Sequence, residues 1–276
     1  MGSILIIGAH FPTEAIASAI EVRSPIVLYD GNRVKDLSRF QIWLGPRAHE
    51  DPKCVFTIVD QVDGAPAIRI SGKEWGGIVT PDAFIRYRLL AEYRWGSVTW
   101  EPRKNLARKS GILLHCQGPD GNFKPSLDSP WMTSIEFEIF DGRTGDAVLV
   151  PGYPSGNPAK RYFPRATMQV LPGDNHWNPK GSPREFIAGQ SRLHWFGKDP
   201  DWKDEAGFRG RNDIEKPSGE WNLLEASVDG GNLVYCVNGV KVMELTNCSL
   251  TQGRIMFQSE SAELFFRRIE LRPLEP

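Results

Sequence analysis

Apolar and polar residues alternate along most of this chain, and turn residues cut the alternation into short runs. A period of two sends successive side chains to opposite faces, which a half-buried strand requires and a helix does not. Ile85, Tyr87, Leu89, Ala91 and Tyr93 alternate with Arg86, Arg88, Leu90, Glu92 and Arg94. Ile112–Cys116 follows Ser-Gly and stops before Gln117-Gly118-Pro119, and Ser134–Phe140 is stopped by Asp141-Gly142. Leu223–Val228 and Leu233–Val237 are separated by Asp229-Gly230-Gly231-Asn232, and the second run ends at Asn238-Gly239, a strong short-range hairpin signal. Arg254–Gln258 and Ala262–Leu271 complete the series. Many short strands between Gly- and Pro-containing turns predict an all-β sandwich or barrel of antiparallel sheets, not βαβ units. One helix is expected, over Thr13–Val22, with Thr13 as its N-cap.

A length of 276 residues permits one large β domain. We expect an N-terminal extension over residues 1–23 and one domain over 24–276. The stretch from about 150 to 220 is loop-rich, yet it carries Tyr162, Phe163, Trp177, Trp195, Phe196 and Trp202, so an ordered, packed insertion is expected. A net charge of −1 provides no footprint for nucleic acid or anionic lipid. No apolar run reaches the roughly 18 residues that span a bilayer. Met1–Gly8 is too short and lacks the basic start of a signal peptide. Cys54, Cys116, Cys236 and Cys248 have neither CxxC nor zinc-finger spacing, and Cys116 and Cys236 lie in strand-like runs where buried free thiols are expected.

The most informative segment is Trp131–Ile139. In a strand, Ile135, Phe137 and Ile139 face one way while Ser134, Glu136 and Glu138 face the other, which puts the two carboxylates about 6.5–7 Å apart. A Glu-x-Glu is ordinarily a solvated strand face. Here Trp131 precedes it, His115 lies on an earlier strand and Arg108 leads into that strand. Paired carboxylates suit acid–base work or a hard cation, a nearby His suits proton transfer, and an Arg suits a substrate oxygen. His115 is expected on the face of Leu113 and Gln117. Trp95 and Trp100, with Arg94 and Arg103, suit sugar stacking or single-stranded nucleic acid, and the near-neutral net charge favours sugar. Nucleotide loops, HExxH and GxSxG are missing from the sequence.

A longer series of words carries a resemblance. It includes Ile68–Gly77, Tyr87–Gly96, Ala107–Cys116, Ser134–Ile139, Thr144–Asp146, Gly219–Asn222, Val237–Gly239, Phe257–Glu260 and Phe266–Leu271. Together they resemble the 3-keto-disaccharide hydrolase family from about Ser24 to Pro273. That resemblance implies a concanavalin- or laminin-G-like jelly roll that cleaves glycosides oxidised at sugar carbon 3. For that reaction we read His115, Glu136 and Glu138 as the candidate base and acid, and Arg108 or a divalent metal as the electrophile. Trp95, Trp100, Trp131, Lys216, Asn222, Gln258 and Glu260 are the substrate-binding candidates. Metal ligands and cofactor are left open, and the family resemblance points to a periplasmic or secreted protein. The chain departs from the family pattern at Glu138, where Gln is expected, at Lys109, where an acid is expected, and at Phe140-Asp141-Gly142. An ordinary glycosidase, a polysaccharide lyase and a non-catalytic sugar-binding module are the competing readings.

Overall fold

The computed structural model describes residues 18–275 apart from residue 191. Its first strands are β1 (Ile20–Glu21), β2 (Ile26–Tyr29), β3 (Gln41–Trp43), β4 (Phe56–Val62), β5 (Ala65–Ile70) and β6 (Gly76–Val79). Next come β7 (Phe84–Thr99), β8 (Lys109–Cys116), β9 (Ser134–Phe140), β10 (Ala147–Val150), β11 (Arg165–Val170) and β12 (Ser182–Ile187). The last are β13 (Asn222–Asp229), β14 (Asn232–Val237), β15 (Val240–Leu245), β16 (Arg254–Ser259) and β17 (Ala262–Arg272). The only helical element among the described residues is a 3-10 turn at Gly45–Arg47.

Two sheets pack face to face as a jelly-roll sandwich. The larger follows the order β15-β14-β13-β7-β17-β5-β4, with β1 beside β7 and β2 beside β17. The smaller runs β10-β9-β8-β16-β6-β3, and β11 and β12 form a separate hairpin within the 150–220 stretch. Between the named strands every pairing is antiparallel except that of β1 with β7. The Gly230-Gly231 and Asn238-Gly239 turns close two-residue hairpins, as the pairs Asp229↔Asn232 and Val237↔Val240 require. Asn238 and Gly239 both take positive φ, 50° and 80°, as that turn demands.

Alternation decides which residues form the core. Ile135, Phe137 and Ile139 of β9 and Ile112 and Leu114 of β8 point inward, and Phe137 stacks on Tyr235 of the opposite sheet at 4.2 Å. Burying each such side chain stabilises the fold by about 1.5–3 kcal/mol. The opposite face of the small sheet carries a second apolar group, Trp43, Val79, Leu113, Met132 and Met256, with Trp131 packed against it. Residues 117–133 and the segment after β10, joined by Arg192, close over this outer face: Tyr153 N donates to Asn122 O at 2.7 Å, and Phe123 N to Trp131 O at 3.1 Å.

Two expectations need correction. The Thr13–Val22 helix lies partly outside the described residues, and Ile20–Glu21 is a strand. Just beyond the last β17 pair, Arg272↔Arg88, β7 still has free backbone groups, and Ile20 N and Val22 N donate to Ala83 O and Arg86 O. Cys236 is half-buried, whereas Cys116 and Cys248 are buried; all four cysteines are free. No helix among the described residues is long and apolar enough to cross a membrane.

Candidate functional site on the outer face of the small sheet

Register places the site. β8 pairs with β9 through Gly111↔Glu138 and Leu113↔Glu136, and β16 continues the row with Met256↔Leu113. Lys109, Gly111, Glu136, Glu138 and Gln258 therefore share the outward face, joined from β10 by Val148, which faces Glu136. Gly111 carries no side chain, and the space matters. A Cβ there would stand 3.0 Å from Glu136 Cγ and 3.1 Å from Gln258 Oε1, so the Glu136 carboxyl and the Gln258 amide converge above this glycine. Glu136 Oε1 and Gln258 Oε1 are buried and have no hydrogen-bond partner.

Two cations and two further carboxylates frame that pair. Lys109 Nζ lies 3.0 Å from Glu260 and 3.8 Å from Glu138, and the Arg192 guanidinium pairs with Glu138. Lys109, Glu136, Arg192 and Gln258 line a pocket of about 160 Å³ together with Phe123, Trp131, Val148, Val150 and Pro151. Glu138 and Glu260 stand behind the cations they hold. Burial pushes the Glu136 carboxyl up to about 8, with the charges of Glu138 and Glu260 adding to the rise and that of Lys109 opposing it. Burial works against the Lys109 ammonium, but Glu136, Glu260 and Glu138 outweigh it and raise its pKa. Arg192 is likewise raised, by Glu138 above all, against the pull of burial. The pocket thus holds one carboxyl pushed toward its neutral form beside two positive charges.

The sequence candidates separate into those that meet here and those that do not. Trp131, Glu136, Glu138, Gln258 and Glu260 meet. His115 does not. Arg254 pairs with Cys116 while Met256 pairs with Leu113, so β8 carries one extra residue and bulges. His115 takes up the bulge with φ 55°, and the alternation is reset: its ring turns inward, away from the face of Leu113, and Nε2 contacts Gly230 O at 2.9 Å. Burial lowers its pKa to about 4, against the bond to Gly230, so the ring is neutral.

Arg108 is also elsewhere. Its guanidinium binds both oxygens of Asp141 at 3.0 Å and lies over the Trp95 ring at 5.3 Å. Trp95 is in the core between the sheets, with Nε1 donating to Glu215 at 2.6 Å. Trp100 donates to Ser71 O and sits under Lys73. Asn222 accepts from Lys216 N and from Asn238, which staples the turn before β13, and the Lys216 side chain is exposed.

Six pocket residues were not singled out as site residues by the sequence: Lys109, Phe123, Val148, Val150, Pro151 and Arg192. Lys109 was visible as a departure from the family pattern, and only the β8–β9 register shows that it shares the glutamates' face. Arg192 and Phe123 come from loops, which carry no periodic signal. A divalent ion fits this donor set poorly, because the Lys109 ammonium and the Arg192 guanidinium already stand between the carboxylates. Among the described residues no group of three or more His, Cys, Asp and Glu is arranged to hold a metal ion.

Fold and site together define a jelly-roll sandwich with a pocket on the outer face of its smaller sheet, lined by one carboxyl and two cations. Residues 24–272 match the profile of the 3-keto-alpha-glucoside-1,2-lyase-like domain, and the chain belongs to that family. No curated protein matches its sequence. Among solved structures it is similar to a proposed glycosyl hydrolase from Parabacteroides distasonis ATCC 8503, at 16% identity and TM-score 0.49 over 91% of this chain and 94% of that one. It is also similar to a carbohydrate-binding module from Bacillus subtilis, at 7% identity and TM-score 0.40 over 78% and 91%. A third is domain 4 of an extracellular arabinanase from Geobacillus stearothermophilus, at 15% identity and TM-score 0.39 over 93% and 95%.

Proposed function

We propose that this chain cleaves glycosides that carry a ketone at sugar carbon 3, by elimination across C1 and C2 followed by hydration. The observation that carries the reading is the Glu136 carboxyl, buried, with a pKa near 8, and set beside two side-chain cations over the gap at Gly111.

The chemistry matches this inventory. A 3-keto group acidifies the proton on C2. Glu136, in its ionised form, takes that proton as the C2–H electrons move into an enolate whose negative charge falls on the C3 oxygen. Lys109 and Arg192 stabilise that charge. The enolate then re-forms the ketone, its electrons make the C1–C2 double bond, and the C1–O bond breaks. The proton held by Glu136 passes to the departing oxygen. Water adds to C1 and returns a proton to C2, so the sum is hydrolysis. A carboxyl with a pKa near 8 is a stronger base than an ordinary glutamate and still a usable acid at neutral pH. Glu138 and Glu260 are positioning residues that fix the two cations.

An ordinary glycosidase needs two carboxyl groups facing the substrate. Here Glu136 alone lines the pocket, which favours the single-carboxyl elimination. The test is to offer a glucoside and its 3-keto form. Release of the aglycone from the keto form only is expected; cleavage of the unoxidised glucoside would overturn the reading.

A further inference from the structure

The pocket has two unlike ends. Lys109, Gln258 and Glu260 gather at one, at the level where β8 begins and β16 ends. Phe123, Trp131, Val150 and Pro151 form the other, where β9 begins and β10 ends. We propose that this second end is a leaving-group subsite for a planar aromatic aglycone, so that the preferred substrates are 3-keto aryl glycosides. The proposal rests on the reaction proposed above for the same pocket, and it adds the class of leaving group.

Hydrogen-bonding capacity decides between an aryl group and a second sugar. The four side chains of the apolar end offer a single polar atom, Trp131 Nε1, which is buried without a partner. A second pyranose would bring several hydroxyls out of water against that one donor, and each unsatisfied group costs about 1–3 kcal/mol. A phenyl ring loses nothing there. The rings present are set for edge and face contact: Phe123 meets Trp131 edge-on at 5.9 Å, and Trp75 lies against the far side of the cluster, 5.5 Å from Trp131.

The mouth continues the same chemistry. Arg161, exposed, lies over Phe123 at 5.8 Å, Tyr153 at 5.9 Å and Phe163 at 5.3 Å, and Phe163 is itself 45% exposed. A cation framed by rings suits the electron-rich face of a phenol. The leaving group also fits the acid available. Glu136 must both take and return the proton, and a phenol oxygen departs with less proton transfer than a sugar hydroxyl.

The test compares 3-keto phenyl glucoside with the 3-keto form of a glucose disaccharide of the same anomeric configuration. Wild type should favour the aryl substrate at least tenfold in kcat/KM. Phe123→Ala should lower the aryl value fivefold or more, chiefly through KM, and so shrink the preference for the aryl substrate over the disaccharide at least threefold. Equal rates, or an equal loss on both substrates, would overturn the subsite. A binding arm keeps this separate from the catalytic reading. By calorimetry, unoxidised phenyl glucoside should bind wild type at least tenfold tighter than methyl glucoside, and Phe123→Ala should erase the difference. If neither keto substrate is cleaved, the catalytic reading fails, and the two Kd values still decide the subsite: equal affinities in wild type would refute it.

Discussion

Two buried glutamates with raised pKa values sit in this protein, and they differ in what surrounds them. Glu215 lies in the interior cluster reached by Arg108. It accepts from Tyr93 Oη, Trp95 Nε1 and Thr144 Oγ1, so both of its oxygens are engaged. Burial raises it to about 7, helped by the charge of Asp141 and opposed by the Tyr93 bond. Glu136 is raised to about 8, also by burial, yet its Oε1 and the neighbouring Gln258 Oε1 have no protein partner. A shifted pKa alone therefore does not mark a site in this molecule. What separates the two is whether the polar groups have been satisfied: the Glu215 cluster is closed, while the Glu136 cluster is left open toward a pocket.

Substitutions can break that contrast, beginning with the largest effect. Glu136→Gln should lower kcat/KM on a 3-keto glycoside by about 10²–10⁴, the usual weight of a general acid–base group, with the fold retained by circular dichroism. Lys109→Met should cost about 10²–10³ in kcat, read by steady-state kinetics, because one of the two enolate-stabilising charges is lost. Glu215→Ala should do the reverse. It strands a phenol, an indole N–H and a hydroxyl in the core, so denaturant melts should lose about 3 kcal/mol while activity per folded molecule stays within twofold.

The pH dependence sharpens the same comparison. The Glu136 base must be ionised in free enzyme, so kcat/KM should climb with pH and level off above about 8. Stability runs the other way. The folded pKa of Glu136 is raised above its ordinary 4.5, so the stabilisation it contributes is fully present below that value and is lost as pH rises through about 8. Glu136→Gln, neutral throughout, should melt progressively higher than wild type as pH climbs from 4.5 to 8. The smallest expected effect is that of a chelator: with Lys109 and Arg192 standing among the carboxylates, EDTA should leave the rate within twofold.

Much of this was legible in the sequence, for a physical reason. Period-two alternation forces Glu136 and Glu138 onto one face whatever the partner strands are, and it located β9 at its observed bounds, Ser134–Phe140. The Gly-Gly and Asn-Gly turns marked both hairpins because few other pairs tolerate their backbone. Alternation failed where one residue was added. The bulge in β8 turned His115 into the core, and no local signal announces a bulge whose positive-φ residue is a histidine instead of a glycine. Arg108 was misplaced for a related reason: next to Lys109 in sequence, it turns to the other side and binds Asp141, while Trp95 belongs to β7 of the larger sheet and packs in the core. Arg192 and Phe123 depend on how loops close over the sheet, and Lys109 needed the pairing register before it could be set beside the glutamates.

On the proposed reaction Glu136, buried yet open to the pocket, carries the proton in cleaving a 3-keto glycoside. The most direct test is the release of aglycone from a 3-keto glucoside and from the unoxidised glucoside, by wild type and by Glu136→Gln, across pH 5–9. The account predicts turnover of the keto substrate alone, rising toward a plateau above about pH 8, and its loss in the variant. Cleavage of the unoxidised glucoside, or an unchanged rate and profile in Glu136→Gln, would contradict it.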